Sequence, residues 1–246
     1  MSESASDSSH VALVTGGARR VGRALVEALG DAGADVAVHY GASAREAEDV
    51  AQAMTRRGRR AAALGADLAD PDQALGLIAR AEKELGPIDW LVNSAAVFEP
   101  LAFHETTVEA WDRHFAVNLR GPFLLSQAFA RSRAGRPGVI VNILDWRALR
   151  PRADHFPYTI AKAGLAAMTQ SLALALAPSI RVNGLALGPV LPPSDGGEGN
   201  ALERVPAGRW ARLDEVGDAL RFLVAGPDYI TGAILHIDGG RHLVQG

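Results

Sequence analysis

The sequence predicts a doubly wound α/β domain: one mostly parallel sheet of seven strands with helices on both faces. Three observations carry that expectation. Short runs rich in Val, Ile, Leu and Ala alternate with longer helical patterns along the whole chain. The first run breaks into a glycine-rich turn, LVTGGARRVGRAL, that leads directly into a helical pattern. A chain of 246 residues with 48% hydrophobic composition is large enough to bury one full core without a second domain.

The elements follow in order. VALVTGG (11–17) reads as the first strand, and RRVGRALVEALGDAG (19–33) as the helix that follows it. ADVAVHY (34–40) and SAREAEDVAQAMTRRG (43–58) repeat the unit, as do RAAALGADL (60–68) and DPDQALGLIARAEKELG (70–86). IDWLVNSAA (88–96) is the fourth strand, and a long helical segment runs from Thr106 to Arg133. GVIVNILDW (138–146), PYTIAKAGLAAMTQSLALALAP (157–178), IRVNGLALGPV (180–190), LDEVGDALRFLVAG (213–226) and GAILHIDGG (232–240) complete the pattern. Near-continuous apolar runs of this kind suit parallel strands buried on both faces. Residues 10–246 are expected to form the single domain, preceded by a polar, disordered tail over residues 1–9.

RALRPRADHFP (147–157) and LPPSDGGEGN (191–200) break the rhythm just after strand ends, where open α/β sheets place ligands. Both are candidate site loops, the second a candidate lid. A formal charge of −3, with acidic and basic residues interspersed, gives no footprint for nucleic acid. TRRGRR (55–60) fits a solvated helix end, where cations are favoured and Gly58 supplies a cap. The absence of cysteine excludes disulfides and thiol chemistry. The seven histidines show no metal-ligand spacing, so no metal is expected. With neither a signal peptide nor an uninterrupted apolar run of membrane length, the expected location is cytoplasmic.

Thr15, Gly16 and Gly22 lie between a strand and a helix, where the backbone can bend tightly and a helix N-terminus can meet a pyrophosphate. This is the phosphate-binding turn of a Rossmann-type fold. Where a site for NAD usually places an acid, at the end of the second strand, this chain has His39, Tyr40 and Ser43. Arg19, Arg20 and Arg45 are within reach of a 2′-phosphate and no acid opposes one, so NADPH is favoured over NADH. Arg45 also suits an ordinary surface position. Asp67 is placed either to accept from an adenine amino group or to cap the following helix.

Tyr158 and Lys162, four residues apart at the start of a helical pattern, share one face. A phenol is a poor acid at neutral pH, and an adjacent ammonium stabilises its phenolate. With this pair the chain from about Val11 onward resembles the single-domain short-chain dehydrogenase/reductase family. The resemblance implies that Tyr158 donates a proton after hydride transfer, that Lys162 binds the nicotinamide ribose and tunes Tyr158, and that Asn118 in AVNLRGPF holds a proton-relay water. Asn93 in LVNSAA matches the first residue of the family's Asn-Asn-Ala-Gly segment, from which Ser94 and Ala96 depart. The same resemblance carries Val21, Leu68, Gly188 and Pro189 into the NADP-binding set, and it implies a homotetramer, for which Ala166, Ala167, Leu172 and Leu174 offer an apolar face.

Two departures from the family pattern narrow the chemistry. Asp145 stands 13 residues before Tyr158, where the family usually has serine. An ionised carboxylate only accepts hydrogen bonds and repels a developing alkoxide, which suits reduction of a C=N bond better than of a ketone. Arg20 replaces the middle glycine of the turn. Together these features are similar to the pteridine reductase branch, which includes bacterial dihydromonapterin reductases, as are the HY and Ser43 after the second strand and the terminal DGGRHL. In that branch an arginine at the Arg20 position reaches both cofactor and substrate, and an aromatic at Phe98 stacks on the pterin; Phe98 also suits core packing. The substrate-binding set is therefore Arg20, Phe98, Asp145 and Tyr158, and the substrate a pterin or folate-like small molecule. The arginines of DWRALRPR are candidates for an anionic tail, and His155 suits a solvent-facing loop position. A ketone such as a 3-oxoacyl thioester and a non-catalytic NADPH sensor are the alternatives.

Overall fold

The computed structural model describes residues 10–191 and 202–244. The expected tail at 1–9 and, apart from Leu191, the candidate lid at 191–200 lie outside the described residues. Seven strands form one sheet in the order β3-β2-β1-β4-β5-β6-β7, every pair parallel. They are β1 Val11–Val14, β2 Asp35–Tyr40, β3 Ala61–Gly65, β4 Trp90–Asn93, β5 Gly138–Asp145, β6 Ile180–Leu187 and β7 Ile234–Ile237. The helices between them are α1 Arg20–Asp31, α2 Ala44–Arg56, α3 Pro71–Leu85, α4 Val108–Phe115, α5 Gly121–Arg133, α6 Phe156–Leu176 and α7 Leu213–Ala225.

The twofold alternation of strand side chains divides the core. On β1, Ala12 and Val14 face a layer that includes Leu25, Val26 and Leu29 of α1, Met54 of α2 and Leu220 of α7. Val11 and Leu13 face the other layer, with Leu77 and Ile78 of α3, Leu125 and Phe129 of α5 and Ala173 of α6. Both faces of the sheet are thereby covered, as an all-parallel sheet requires. The strand order reverses between β1 and β4, which opens a crevice at their carboxyl ends.

The long segment read as one helix from Thr106 to Arg133 is divided. Thr107 caps α4, accepting from Ala110 N at 3.2 Å, and a π-helical turn at Ala116–Arg120 precedes α5. Such turns often mark functional positions, and this one carries Asn118. TRRGRR behaves as a helix end: Arg57 pairs with Asp31 at 3.2 Å, and Gly58 takes a positive φ of +79°.

Helix α6 has the length and apolar character of a membrane span, with a mean hydropathy of 1.2. Its Tyr158, Lys162, Leu165, Thr169 and Ala173 are nevertheless buried. Of the residues expected on an oligomer face, Ala166 is buried and Leu172 packs partly on the core, while Ala167 is exposed and Leu174 is 85% exposed.

Buried polar bonds tie β4, β5 and α6 together. Asn93 Nδ2 donates to Asn142 Oδ1 at 2.8 Å, Asn142 Nδ2 to Thr169 Oγ1 at 2.9 Å, and Thr169 to the Leu165 carbonyl at 2.8 Å. Asn93 is thus part of the scaffold and does not line the cavity described below. At the other end of the crevice, a Cβ on Gly22 would stand 2.0 Å from the Gly16 carbonyl oxygen. Gly22→Ala is expected to cost about 1–3 kcal/mol by overpacking. The loss should appear as a lower urea midpoint together with weakened NADPH binding; an unchanged midpoint would show that α1 shifts freely against the turn.

Candidate active site

The glycine turn is held by His39, which also lines the cavity along the sheet edge. Gly16 N–H donates to His39 Nδ1 at 3.1 Å, and His39 Nε2 pairs with the Ala66 carbonyl at 3.0 Å. The ring is buried, and burial pushes its pKa down, so it sits neutral. Thr15 Oγ1 accepts from Ser94 N at 2.9 Å and Ala95 N at 3.0 Å, which joins the end of β1 to the loop after β4. Tyr40 turns its ring across Gly65, where a Cβ would lie 2.9 Å from Tyr40 Cζ. Neither Tyr40, Ser43 nor Arg45 lines the cavity; Gly41 does. Arg20, expected to replace a glycine, sits at φ +50°, a conformation natural to glycine and strained by about 1–2 kcal/mol for other residues.

A cavity of about 1190 Å³ runs along the carboxyl edge of the sheet. Gly16, Arg19, Arg20, Val21, Asp67 and Leu68 line one end, and Asp145, Tyr158, Lys162, Gly188 and Pro189 line the other. Its first end fits a dinucleotide. A Cβ on Gly16 would stand 2.9 Å from Ala95 Cα, so the backbone approach requires glycine. No side chain caps the N-terminus of α1, and no acid lies in its first turn, so its N–H groups suit a pyrophosphate. Asp67 uses Oδ1 to accept from Ala69 N at 2.8 Å, and the helix cap expected of it falls to Asp70, which accepts from Asp72 N and Gln73 N.

At the other end Asp145 closes β5 and Tyr158 opens α6. Tyr158 Oη lies 3.4 Å from Asp145 Oδ2. Lys162 Nζ donates to the Ile143 carbonyl at 2.7 Å and lies 5.8 Å from the Tyr158 ring centre. Burial pushes the Asp145 carboxyl up, opposed by the Arg147 charge, the Arg147 backbone N–H, Lys162 and Tyr158. Burial, then the Asp145 charge, pushes the Tyr158 hydroxyl well above its ordinary value. The Arg147 charge opposes this rise. Arg147 N–H donates to Asp145 Oδ1 at 2.8 Å, and its guanidinium reaches Asp145 at 3.6 Å and Asp154 at 2.9 Å.

Phe98 lines the cavity with its ring 51% exposed, which sets aside simple core packing. It meets Tyr158 edge-on at 4.7 Å. His155, expected to face solvent, instead stacks on Phe98 at 4.1 Å, because a φ of +53° turns it inward at the start of α6. Asn118 lies in the π-helical turn before α5. Its side chain accepts from Val97 N at 2.8 Å and donates to Val97 O at 2.9 Å, which fixes the backbone next to Phe98.

Sequence spacing did not bring out the convergence of His236, Asp238 and His242, whose ligand atoms lie within 4.8 Å of one another. The two imidazoles stack at 3.8 Å with planes 20° apart. One ion cannot lie in both ring planes at that separation. Asp238 Oδ2 accepts from His242 N at 2.8 Å and pairs with its Nδ1 at 2.7 Å, which shapes the turn after β7. Arg241 and Trp146 are cavity residues that the sequence reading missed, and His155 lines the cavity with them. The position of DGGRHL at the carboxyl end of a strand was the available signal for Arg241.

Burial lowers the Lys162 pKa from 10.5 to about 8, with Asp145 pulling the other way. Above that pH the folded protein binds fewer protons than the unfolded chain, so stability rises with pH from about 8 to about 10. Tyr158 shifts in the opposite sense, and its loss of stability with pH begins only near the ordinary tyrosine value. Urea unfolding near pH 8 and pH 10 should show a gain on the order of 2 kcal/mol that Lys162→Met abolishes. A gain of equal size in the variant would remove Lys162 as its source.

Comparison with known proteins agrees with this architecture. Residues 16–242 match the family model described as enoyl-(acyl carrier protein) reductase. The crystal structure of FolM alternative dihydrofolate reductase 1 from Brucella canis, complexed with NADP, is 38% identical with a TM-score of 0.89, and the match covers 96% of this chain and 95% of that one. Cis-4-hydroxycyclohexanecarboxylate dehydrogenase of Sinomonas cyclohexanicum is 38% identical over 94% of this chain and 95% of its own. L-xylulose reductase of Bos taurus is 37% identical over 93% and 95%. The chain belongs to the short-chain dehydrogenase/reductase family, as an NAD(P)-dependent oxidoreductase.

Proposed function

We propose that the chain is an NADPH-dependent reductase of a pterin or dihydrofolate-like ring. The observation that carries this reading is the buried pair of Asp145 and Tyr158, 3.4 Å apart, opening onto the exposed ring of Phe98. The likeness to the FolM structure supports it. Reduction of a ring C=N bond needs a hydride at carbon and a proton at nitrogen. Bound NADPH supplies the hydride.

The chain's own residues supply the rest. Tyr158 keeps its proton at neutral pH because burial and Asp145 both oppose the phenolate, so it acts as a donor. Asp145 is itself pushed toward its acid form, and between them the two groups hold the proton that the ring nitrogen receives. Lys162 fixes α6 against β5 through the Ile143 carbonyl. His155 stacks on Phe98 and the Arg147 guanidinium lies 6.0 Å from the same ring centre, so a planar substrate would stack within a ready-made aromatic and cationic setting. Arg19 and Arg20 line the cofactor end and suit the 2′-phosphate of NADPH. In the homotetramer of this reading, Ala167 and Leu174 become covered.

Reduction of a carbonyl is the second reading, and the same burial favours it. An ionised Asp145 would repel an alkoxide, whereas a carboxyl pushed up can present a proton to it. The relatives named for a cyclic hydroxy acid and a sugar support this reading.

NADPH oxidation, followed by near-ultraviolet absorbance, separates the two when tested with a dihydropterin, dihydrofolate and a 3-oxoacyl thioester mimic. Turnover of the thioester mimic alone would overturn the pterin reading. Asp145→Asn should lower dihydropterin turnover by about 100-fold while the NADPH Kd stays nearly constant; unchanged turnover would remove Asp145 from proton transfer. Arg20→Gly relieves a backbone strain of about 1–2 kcal/mol. It should therefore leave Tm equal or higher while raising the KM for dihydropterin, and a lower Tm with unchanged KM would place Arg20 outside the substrate site.

A further inference from the structure

Arg241 is an unusual residue for its position. It follows β7 in a short 3-10 turn, Arg241–Leu243, and is only 6% exposed. Asp238 shapes that turn, accepting from Gly240 N at 2.9 Å through Oδ1 and from His242 N at 2.8 Å through Oδ2. The turn directs Arg241 into the cavity, where its guanidinium stacks over the Trp146 indole at 4.3 Å. Among the described residues no carboxylate or carbonyl accepts a hydrogen bond from that guanidinium.

Among the described residues this end of the cavity carries four arginines and three acids. Arg147, Arg152 and Arg204 line the same end of the cavity. After burial, all three push the Arg241 pKa down, with Asp238 opposing. The acids lining this end are Asp145, Asp154 and Glu203. Asp145 faces Tyr158 and Arg147, and Asp154 is taken by Arg147 at 2.9 Å. A planar guanidinium held flat on an indole at the cavity wall is preorganised for a two-oxygen anion.

We propose that Arg241, stacked on Trp146, forms an anion subsite that receives a carboxylate or phosphate substituent on the ring reduced at Asp145 and Tyr158. The proposal rests on the reading of this cavity as a ring-reductase site. The substrate class is then an acidic-tailed ring, with the ring on Phe98 and its tail toward β7.

The test compares acidic and neutral members of matched pairs in kcat/KM, for the wild type, Arg241→Gln and Arg241→Lys. One pair is dihydropterin-6-carboxylate against 6-hydroxymethyl-dihydropterin, with the dihydroneopterin monophosphate as the phosphate arm. The other is 4-oxocyclohexanecarboxylate against cyclohexanone, which needs no pterin ring. The wild type should prefer the acidic member, and the preference should fall at least about tenfold in Arg241→Gln, return partly in Arg241→Lys and weaken with salt. Calorimetric binding of pterin-6-carboxylate and 6-hydroxymethylpterin to the NADP-loaded protein gives the same comparison without turnover. No acidic preference in either pair or in binding would overturn the subsite, as would a preference that Arg241→Gln leaves intact. Acidic preference confined to the cyclohexanone pair, with no pterin bound or reduced, would retain the subsite and overturn the pterin reading.

Discussion

The site depends on one buried ammonium. Lys162 gives a hydrogen bond to the Ile143 carbonyl at 2.7 Å, near the end of β5. That oxygen lies two residues before Asp145, and the ammonium lies one helical turn beyond Tyr158. A single contact thus fixes the end of a strand against the start of a helix, where Asp145 and Tyr158 meet. The Asn93, Asn142 and Thr169 bonds repeat this tie deeper in the core, so α6 is held to the sheet at two levels by polar groups that cannot slide as apolar contacts can.

That arrangement changes the electrostatic role of the lysine. A cation beside a phenol lowers the phenol's pKa only if its charge is not outweighed by burial and by a nearer acid. Here Tyr158 is enclosed, Asp145 is its closest ionisable neighbour, and both raise its pKa. Arg147 supplies the countering charge to both groups, through a loop that the sequence marks only as arginine-rich. Burial thus acts on Tyr158 and Asp145 together, while Lys162 ties α6 to β5 behind them.

The parts of this structure legible in the sequence are those with local signatures. Seven apolar runs, the glycine turn and the spacing of Tyr158 to Lys162 each depend on residues close in the chain, and each lies where that spacing suggests. The division between α4 and α5 was hidden because AVNLR has the composition of a continuous helix while adopting a π turn. His155 was misplaced because its orientation follows from a left-handed backbone that its neighbours do not announce. Asn93, Asn118 and Tyr40 carry the identities expected of site residues, but their side chains are taken by Asn142, by Val97 and by the surface over Gly65. Those partners lie 49, 21 and 25 positions away in the chain, beyond any local pattern.

His39 gives the dinucleotide turn a chemical limit of its own. Its Nδ1 accepts from Gly16 N–H, so the imidazole must keep that lone pair for the turn to stay closed. Acid would convert the acceptor into a donor facing another donor at the first glycine of the turn. Burial keeps the imidazole neutral by disfavouring its charged form. The closed form of the glycine turn is therefore tied to a neutral imidazole near the end of β2.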